Sequence, residues 1–159
     1  MAWTCRGLDP DRAKPVGLYR LPLPPSAPAV VPFAQHGRAY AQPVIRLQLI
    51  GPRASYPVNV VVDTGAACCL LPEWLAWRVG VRQSASSPTT LMGSSVSRTG
   101  WSAWFEMVEL QLEDQAGVLQ PFRWPAVVGF TGAGSFAGRH NGILGVNGGL
   151  DRFQRVEFD

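Results

Sequence analysis

Few side chains in this sequence of 159 residues are both chemically capable and oddly placed, and Asp63 is the oddest. It follows Val60-Val61-Val62 and precedes Thr64-Gly65-Ala66. Three β-branched residues in a row mark a buried strand. A carboxylate directly after them must keep its water, gather hydrogen-bond donors or join a site, because an ionised Asp is not buried unpaired. Thr64 adds a hydroxyl and Gly65 adds backbone freedom, which are the ingredients of a tight turn. Two readings follow: an ordinary Asp-Thr-Gly turn that ends a strand, or a strand that presents a carboxylate for acid–base work.

The other candidates are sulfur and imidazole. Cys5, Cys68 and Cys69 are odd in number and two are adjacent, which does not suit a disulfide framework. With no second cysteine pair and only His36 and His140 as histidines, the spacing does not suit a metal either, and no metal or cofactor is expected. Cys68 and Cys69 read as small apolar residues on a strand. Either could be a nucleophile only with His36 or His140 as its base.

The elements that must position Asp63 are legible around it. Ile45, Leu47 and Leu49 alternate with Arg46 and Gln48, as in a half-buried strand. Gly51 to Ser55 makes a turn, and Val58 to Val62 returns, so a hairpin delivers Asp63. Ala67 to Leu71 reads as another buried strand. Pro72 then opens a short helix, with Glu73 at its positive end and Gly80 as its stop. Trp74, Leu75, Trp77 and Val79 have helical spacing, and the two tryptophans are expected to pack. From Phe105 to Leu112 the pattern is strand-like, with a parity change between Met107 and Val108 that predicts a bulge. Val118 to Phe130 predicts two short strands broken at Pro121 and Pro125. Leu150 to Phe158 predicts a helical turn running into a final strand. Val127-Val128-Gly129-Phe130-Thr131-Gly132-Ala133 echoes Val60 to Ala66, with Phe130 in the place of Asp63.

Composition sets the frame. An apolar fraction of 47% over 159 residues supports one domain with a proper core, and Gly 17 with Pro 14 suits short strands and many turns. Residues 1–42, with Leu21-Pro22-Leu23-Pro24-Pro25, read as a Pro-rich arm or linker, poor in packed structure, ahead of a domain at 43–159. The net charge of +3 comes from scattered residues, and no nucleic-acid partner is expected. Without an apolar run long enough to span a bilayer or an apolar leader after Met1, no membrane partner is expected, and the setting reads as cytoplasmic.

Asp63-Thr64-Gly65-Ala66 after an apolar strand, followed about eighty residues later by Gly142-Ile143-Leu144-Gly145, resembles the retropepsin-like aspartic proteases. The resemblance covers roughly Pro43 to Asp159. It implies a mostly β fold, a closed β-barrel lobe with one or two short helices, built from two similar halves of which only the first turn keeps Asp. It implies Asp63 as the catalytic carboxylate, with Thr64, Gly65 and Ala66 supporting the turn and Ile143 and Leu144 walling the substrate pocket. A flap would lie at roughly Leu91 to Trp104. Two carboxylates sharing one proton are needed, and the chain has one such motif, so the resemblance implies a homodimer acting on a peptide or protein substrate in extended conformation.

The sequence departs from retroviral members at Ala67 and Val146, where they pair an acid with an arginine. It departs again at Asn147-Gly148-Gly149, where relatives begin a helix. Two other readings stand beside the enzyme: a retropepsin-like dimerisation or peptide-binding module with little catalysis, and an unrelated small β-barrel binding domain.

Overall fold

The computed structural model of the chain describes residues 3–9, 12–21, 30–35, 38–92, 101–112, 120–132 and 142–158. The strands are β1 (Trp3–Asp9), β2 (Arg12–Leu21), β3 (Val30–Gln35), β4 (Arg38–Ile50), β5 (Ser55–Val62), β6 (Cys69–Pro72), β7 (Thr89–Met92), β8 (Trp101–Leu112), β9 (Phe122–Thr131), β10 (Gly142–Leu144) and β11 (Phe153–Phe158). One helix, α1 (Glu73–Val79), follows β6, and a 3-10 turn at Leu150–Arg152 precedes β11.

Alternation dictates the hairpins. β4 and β5 pair antiparallel from Val44↔Val61 to Ile50↔Ser55, and β8 and β9 pair from Ala103↔Thr131 to Leu112↔Phe122. Leu47, Leu49, Val58, Val60, Val108, Leu110, Leu112, Phe122 and Trp124 all turn inward and share one core. The two hairpins meet where β4 pairs β8, and β10 and β6 fill the opposite side. The ring β4-β5-β10-β6-β9-β8 thus closes on itself, which leaves those six strands without an open edge over the paired lengths.

The threading of β10 is the unusual feature. It lies parallel to β5, in register from Gly142↔Val60 to Leu144↔Val62, and touches β6 at Ile143↔Leu70. β6 lies parallel to β9 in the same manner, from Cys69↔Val128 to Pro72↔Thr131. Each half of the chain therefore lends its third strand to the other half. The approach is close: a Cβ on Gly142 would stand 2.3 Å from the Leu70 carbonyl oxygen, and one on Gly145 would stand 2.3 Å from that of Cys68. Backbone atoms cannot rotate away as side chains do, so both positions exclude every other residue.

The pairings correct the echo between the halves by one residue. Val60 and Val62 face the core, and so do Val128 and Phe130, whereas Val127 is exposed. Val60 thus corresponds to Val128, and Asp63 corresponds to Thr131 rather than to Phe130. A one-residue slip would turn every side chain to the wrong face.

Other expectations also change. No bulge separates Met107 from Val108; the ladder to β9 is continuous, and Met107 is 61% exposed on the outer face. β9 is one strand through Pro125, which stands opposite Glu109 in the continuous ladder to β8, and among the described residues its second edge is paired only from Val128 on. On α1 the buried residues are Leu75, Ala76 and Val79. Trp77 is 64% exposed, and Trp74 lies edge-on to Tyr56 with ring centroids 5.7 Å apart. Gly80 ends the helix in the left-handed region at φ 82°, as its position suggested.

Much of the amino-terminal stretch is strand rather than open arm. β1 pairs β2 on one side and β11 on the other, from Trp3↔Phe158 to Gly7↔Phe153, making a three-stranded sheet. Pro15 is the only proline in these two strands, and it sits at a register irregularity where a missing donor is tolerated. β4 begins at Arg38 and runs through the change from Pro-rich to alternating sequence. Residues 22–29, the Pro-rich segment itself, lie outside the described residues. Among the described residues no helix is long and apolar enough to cross a membrane.

Gly142→Ala should lower stability by about 1–3 kcal/mol, the usual cost of an overpacked core site. Urea unfolding of the variant beside the parent measures this; an unchanged midpoint would mean that β10 is not wedged against β6.

Candidate active site

β5 ends at Val62, and the chain turns at Asp63. Two hydrogen bonds shape that turn: the Ala66 N–H donates to the Asp63 carbonyl at 3.2 Å, and the Gly65 N–H donates to Asp63 Oδ1 at 2.9 Å. The second bond is the local pattern for which Asp favours turns, and it orients the carboxylate. A Cβ on Gly65 would stand 3.2 Å from that same oxygen. Glycine here keeps the space beside the carboxylate open.

The turn is anchored from below by the strand and loop that thread beside it. The Asp63 N–H donates to the Leu144 carbonyl at 3.1 Å, Val146 N–H to Ala66 at 2.9 Å and Asn147 N–H to Ala67 at 3.0 Å. These bonds bring the two glycine-bounded motifs together, although about eighty residues separate them in sequence. Asp63 and Ala66 are half-buried, and Thr64 and Gly65 are exposed at the apex. The burial pattern of β10 separates its two apolar residues: Leu144 lies in the barrel core, and half-buried Ile143 turns to the other face. Ala67 and Val146 are exposed beside the turn, so the surface there is apolar. The backbone bonds from Val146 and Asn147 join the two segments without charge.

The cysteines lie next to this turn but are chemically restrained. Cys69 is buried, with Sγ 3.9 Å from the Gly145 carbonyl oxygen and 3.8 Å from that of Asn147. Burial pushes its thiol up to about 12, despite the opposing effect of the Gly145 bond. Burial also raises the half-buried Cys68 thiol. Neither is poised as a thiolate near neutral pH. His36 and His140 lie outside the described residues, and among those described no cluster of three or more His, Cys, Asp or Glu could hold a metal.

β7 and β8 form a hairpin, from Thr89↔Trp104 to Met92↔Trp101, in the region expected for a flap; its tip, residues 93–100, lies outside the described residues. Its root is tied down in ways the sequence reading missed. Trp104 Nε1 donates to Glu73 Oε1 at 3.1 Å, and its ring packs on Phe130 at 4.8 Å between centroids. The Phe105 N–H donates to the Pro88 carbonyl at 3.1 Å. Glu106 Oε1 accepts from the Ser84 N–H at 3.0 Å and from the Ser87 hydroxyl. One signal for this tether was present: Glu106 has the inward parity of Trp104, Val108 and Leu110, where a carboxylate is out of pattern.

A model of the family described as aspartyl protease matches residues 51–147, more than half of the chain and inclusive of both motifs. The chain belongs to the aspartyl protease family. Among solved structures, the EIAV protease complexed with the inhibitor HBY-793 is similar over 65% of this chain and 81% of its own, at 17% identity and a TM-score of 0.39. No curated protein matches the sequence.

The Glu106 tether has a defined pH window. The Ser87 hydroxyl and then the Ser84 N–H hold its carboxyl below the ordinary 4.5. A depressed value in the folded state stabilises the fold above the unfolded value, and that contribution is lost as pH falls through the folded one. The protection factor of the Ser84 amide, taken against its intrinsic exchange rate, should therefore fall in the parent as pH drops below the ordinary carboxylate range, and a Glu106→Gln variant should show no such step. Identical pH dependence in both proteins would assign the step to another group.

Proposed function

We propose that this chain is an aspartic endopeptidase that works as a homodimer and hydrolyses extended peptides through an activated water. The observation that carries the reading is the placement of one carboxylate, Asp63, on a braced turn whose apex residues, Thr64 and Gly65, are exposed. The family chemistry needs a second carboxylate within a few ångströms, and the sequence has no second Asp-Thr-Gly or Asp-Ser-Gly. A twofold axis at the apex supplies it from a second copy.

Like charges that close cannot both ionise, so the pair holds one proton between them. The ionised Asp63 takes a proton from water as the water attacks the peptide carbonyl carbon. The protonated Asp63 of the other copy donates to the carbonyl oxygen, and a proton is then delivered to the leaving amine. The hydroxyl of Thr64 has no hydrogen-bond partner among the described residues, and its exposed position suits a bond between the two turns. Ala66 and the Gly65 backbone would lie along the substrate chain. Ile143 would wall the pocket from the outer face of β10, with Leu144 behind it in the core, and the β7–β8 hairpin would cover the cleft.

Asp63→Asn keeps the shape of the side chain but removes its charge and shareable proton. Peptide hydrolysis should fall by about a thousandfold or more in a folded variant, the scale of a lost general acid–base. The parent should show a bell-shaped profile with an acid optimum, reporting the pair rather than either carboxyl. Undiminished cleavage by the variant overturns the mechanism. A parent without any hydrolysis of unstructured protein at acid pH leaves the peptide-binding module as the better reading.

Assembly provides a separate check. β1 of the same chain takes one edge of β11, and the other edge has no strand beside it among the described residues. Pairing of two such edges across the axis would join the three-stranded sheets of the two copies. Deleting Val156 to Asp159 should weaken the dimer and make activity steeply dependent on concentration. Sedimentation of both proteins decides this, and equal dimerisation would move the interface elsewhere.

A further inference from the structure

At the end of β5 opposite Asp63 the barrel carries a polar groove of ≈ 460 Å³. Three cross-strand neighbours form its floor on the outer face: Gln48 of β4, Gln111 of β8 and Arg123 of β9 stand side by side in register. The 51–55 turn forms its wall and contributes Arg53. That turn is held firmly. The Gly51 N–H donates to Ala54 and the Arg53 N–H donates to Val79, both at 3.0 Å, and a Cβ on Gly51 would stand 2.5 Å from the Val79 carbonyl oxygen. The stem of Arg53 lies over Gly80.

Among the described residues, the lining of this groove holds two guanidinium groups and no carboxylate. Arg53 makes no ion pair among the described residues. Arg123 directs Nε and Nη2 at Gln111 Oε1, at 3.1 and 2.9 Å, so its fork rests on a neutral amide. Its one acidic contact is Glu109 in the adjacent row, at 3.5 Å between half-exposed groups, a geometry that contributes little. A guanidinium fork binds a carboxylate far better than an amide oxygen.

We propose that this groove is a docking site for an acidic peptide segment, whose carboxylates engage Arg53 and Arg123 and whose backbone pairs with the Gln48 and Gln111 amides. The volume falls in the range of sites that hold a few side chains. The glutamine amides both donate and accept, which fits a peptide backbone better than a small anion that only accepts. Among the described residues the lining has no aromatic ring on which a nucleic-acid base could stack. β5 is eight residues long, so the groove lies about 25 Å from Asp63, at roughly 3.3 Å per residue. The site is thus separate from the cleavage chemistry and does not rest on it.

Fluorescence anisotropy of a fluorescein-labelled (Glu-Ser)4 peptide with the full chain tests the assignment. Saturable binding is expected, weakened about tenfold by Arg53→Gln or by Arg123→Gln, and weakened again when salt rises from about 0.05 to about 0.5 M. Circular dichroism of both variants should match the parent, and hydrolysis of a short uncharged peptide should be unchanged. The isosteric (Gln-Ser)4 peptide should bind the parent at least about tenfold more weakly, a comparison that needs no variant. Absence of binding, equal binding of the glutamine peptide, or full binding by the Arg53→Gln/Arg123→Gln double variant overturns the proposal. Competition by a thymidine oligonucleotide of equal charge as effective as the unlabelled peptide would overturn the peptide assignment in favour of a general polyanion surface.

Discussion

The close passage of β10 between β5 and β6 is the constraint on which the rest of the structure depends. Gly142 and Gly145 bracket that passage, each facing a backbone carbonyl where no side chain fits. Between them, Ile143 and Leu144 face opposite ways, so a three-residue strand serves the core and the outer surface together. The same strand gives its Leu144 carbonyl to the Asp63 N–H, and the following loop gives its N–H groups to Ala66 and Ala67. Barrel closure and the placement of the carboxylate are therefore one event. Loosening β10 would cost the fold its middle strand and Asp63 its anchor.

The two halves solve the same packing problem but end in different chemistry. Val60 and Val62 correspond in facing to Val128 and Phe130, and the next position is Asp63 in one half and Thr131, the last residue of β9, in the other. Thr131 is completely buried, and its hydroxyl has no hydrogen-bond partner among the described residues. Asp63, half-buried, accepts the Gly65 N–H and reaches the surface. A buried carboxylate at Thr131 would need donors that a hydroxyl can lack at lower cost. One half thus carries the charge, and the other half is filled in.

Charge is used sparingly around the candidate site and more freely away from it. Beside Asp63 the neighbours Ala67 and Val146 are uncharged, and backbone hydrogen bonds join their segments. Farther out, Glu73 and Glu106 fasten the root of the hairpin through Trp104, Ser84 and Ser87. At the far end of the barrel Arg53 and Arg123 line a groove that holds no carboxylate among the described residues.

Features that depend on near neighbours are legible in the order of the residues. Alternation at Ile45, Leu47 and Leu49 fixed which face of β4 is buried, and the valine run marked β5. Gly80 stopped the helix, and Asp63-Thr64-Gly65-Ala66 with Gly142-Ile143-Leu144-Gly145 carried the family. Features that depend on what lies across a strand emerge only once the chain is folded. Pro125 was read as a break, yet β9 runs through it ahead of the stretch that pairs with β6, and Met107 was read as marking a bulge, yet it lies on the outer face of a continuous ladder. The echo of Val60 to Ala66 was visible, but its register required the cross-strand partners, because identity of letters cannot report which face a residue occupies. The pairing of β1 with β11 joins opposite ends of the chain. The groove of Gln48, Gln111, Arg123 and Arg53 joins three strands and a turn. Neither leaves a periodic trace, since hydrophobic pattern records burial along one segment and not the partner that supplies it.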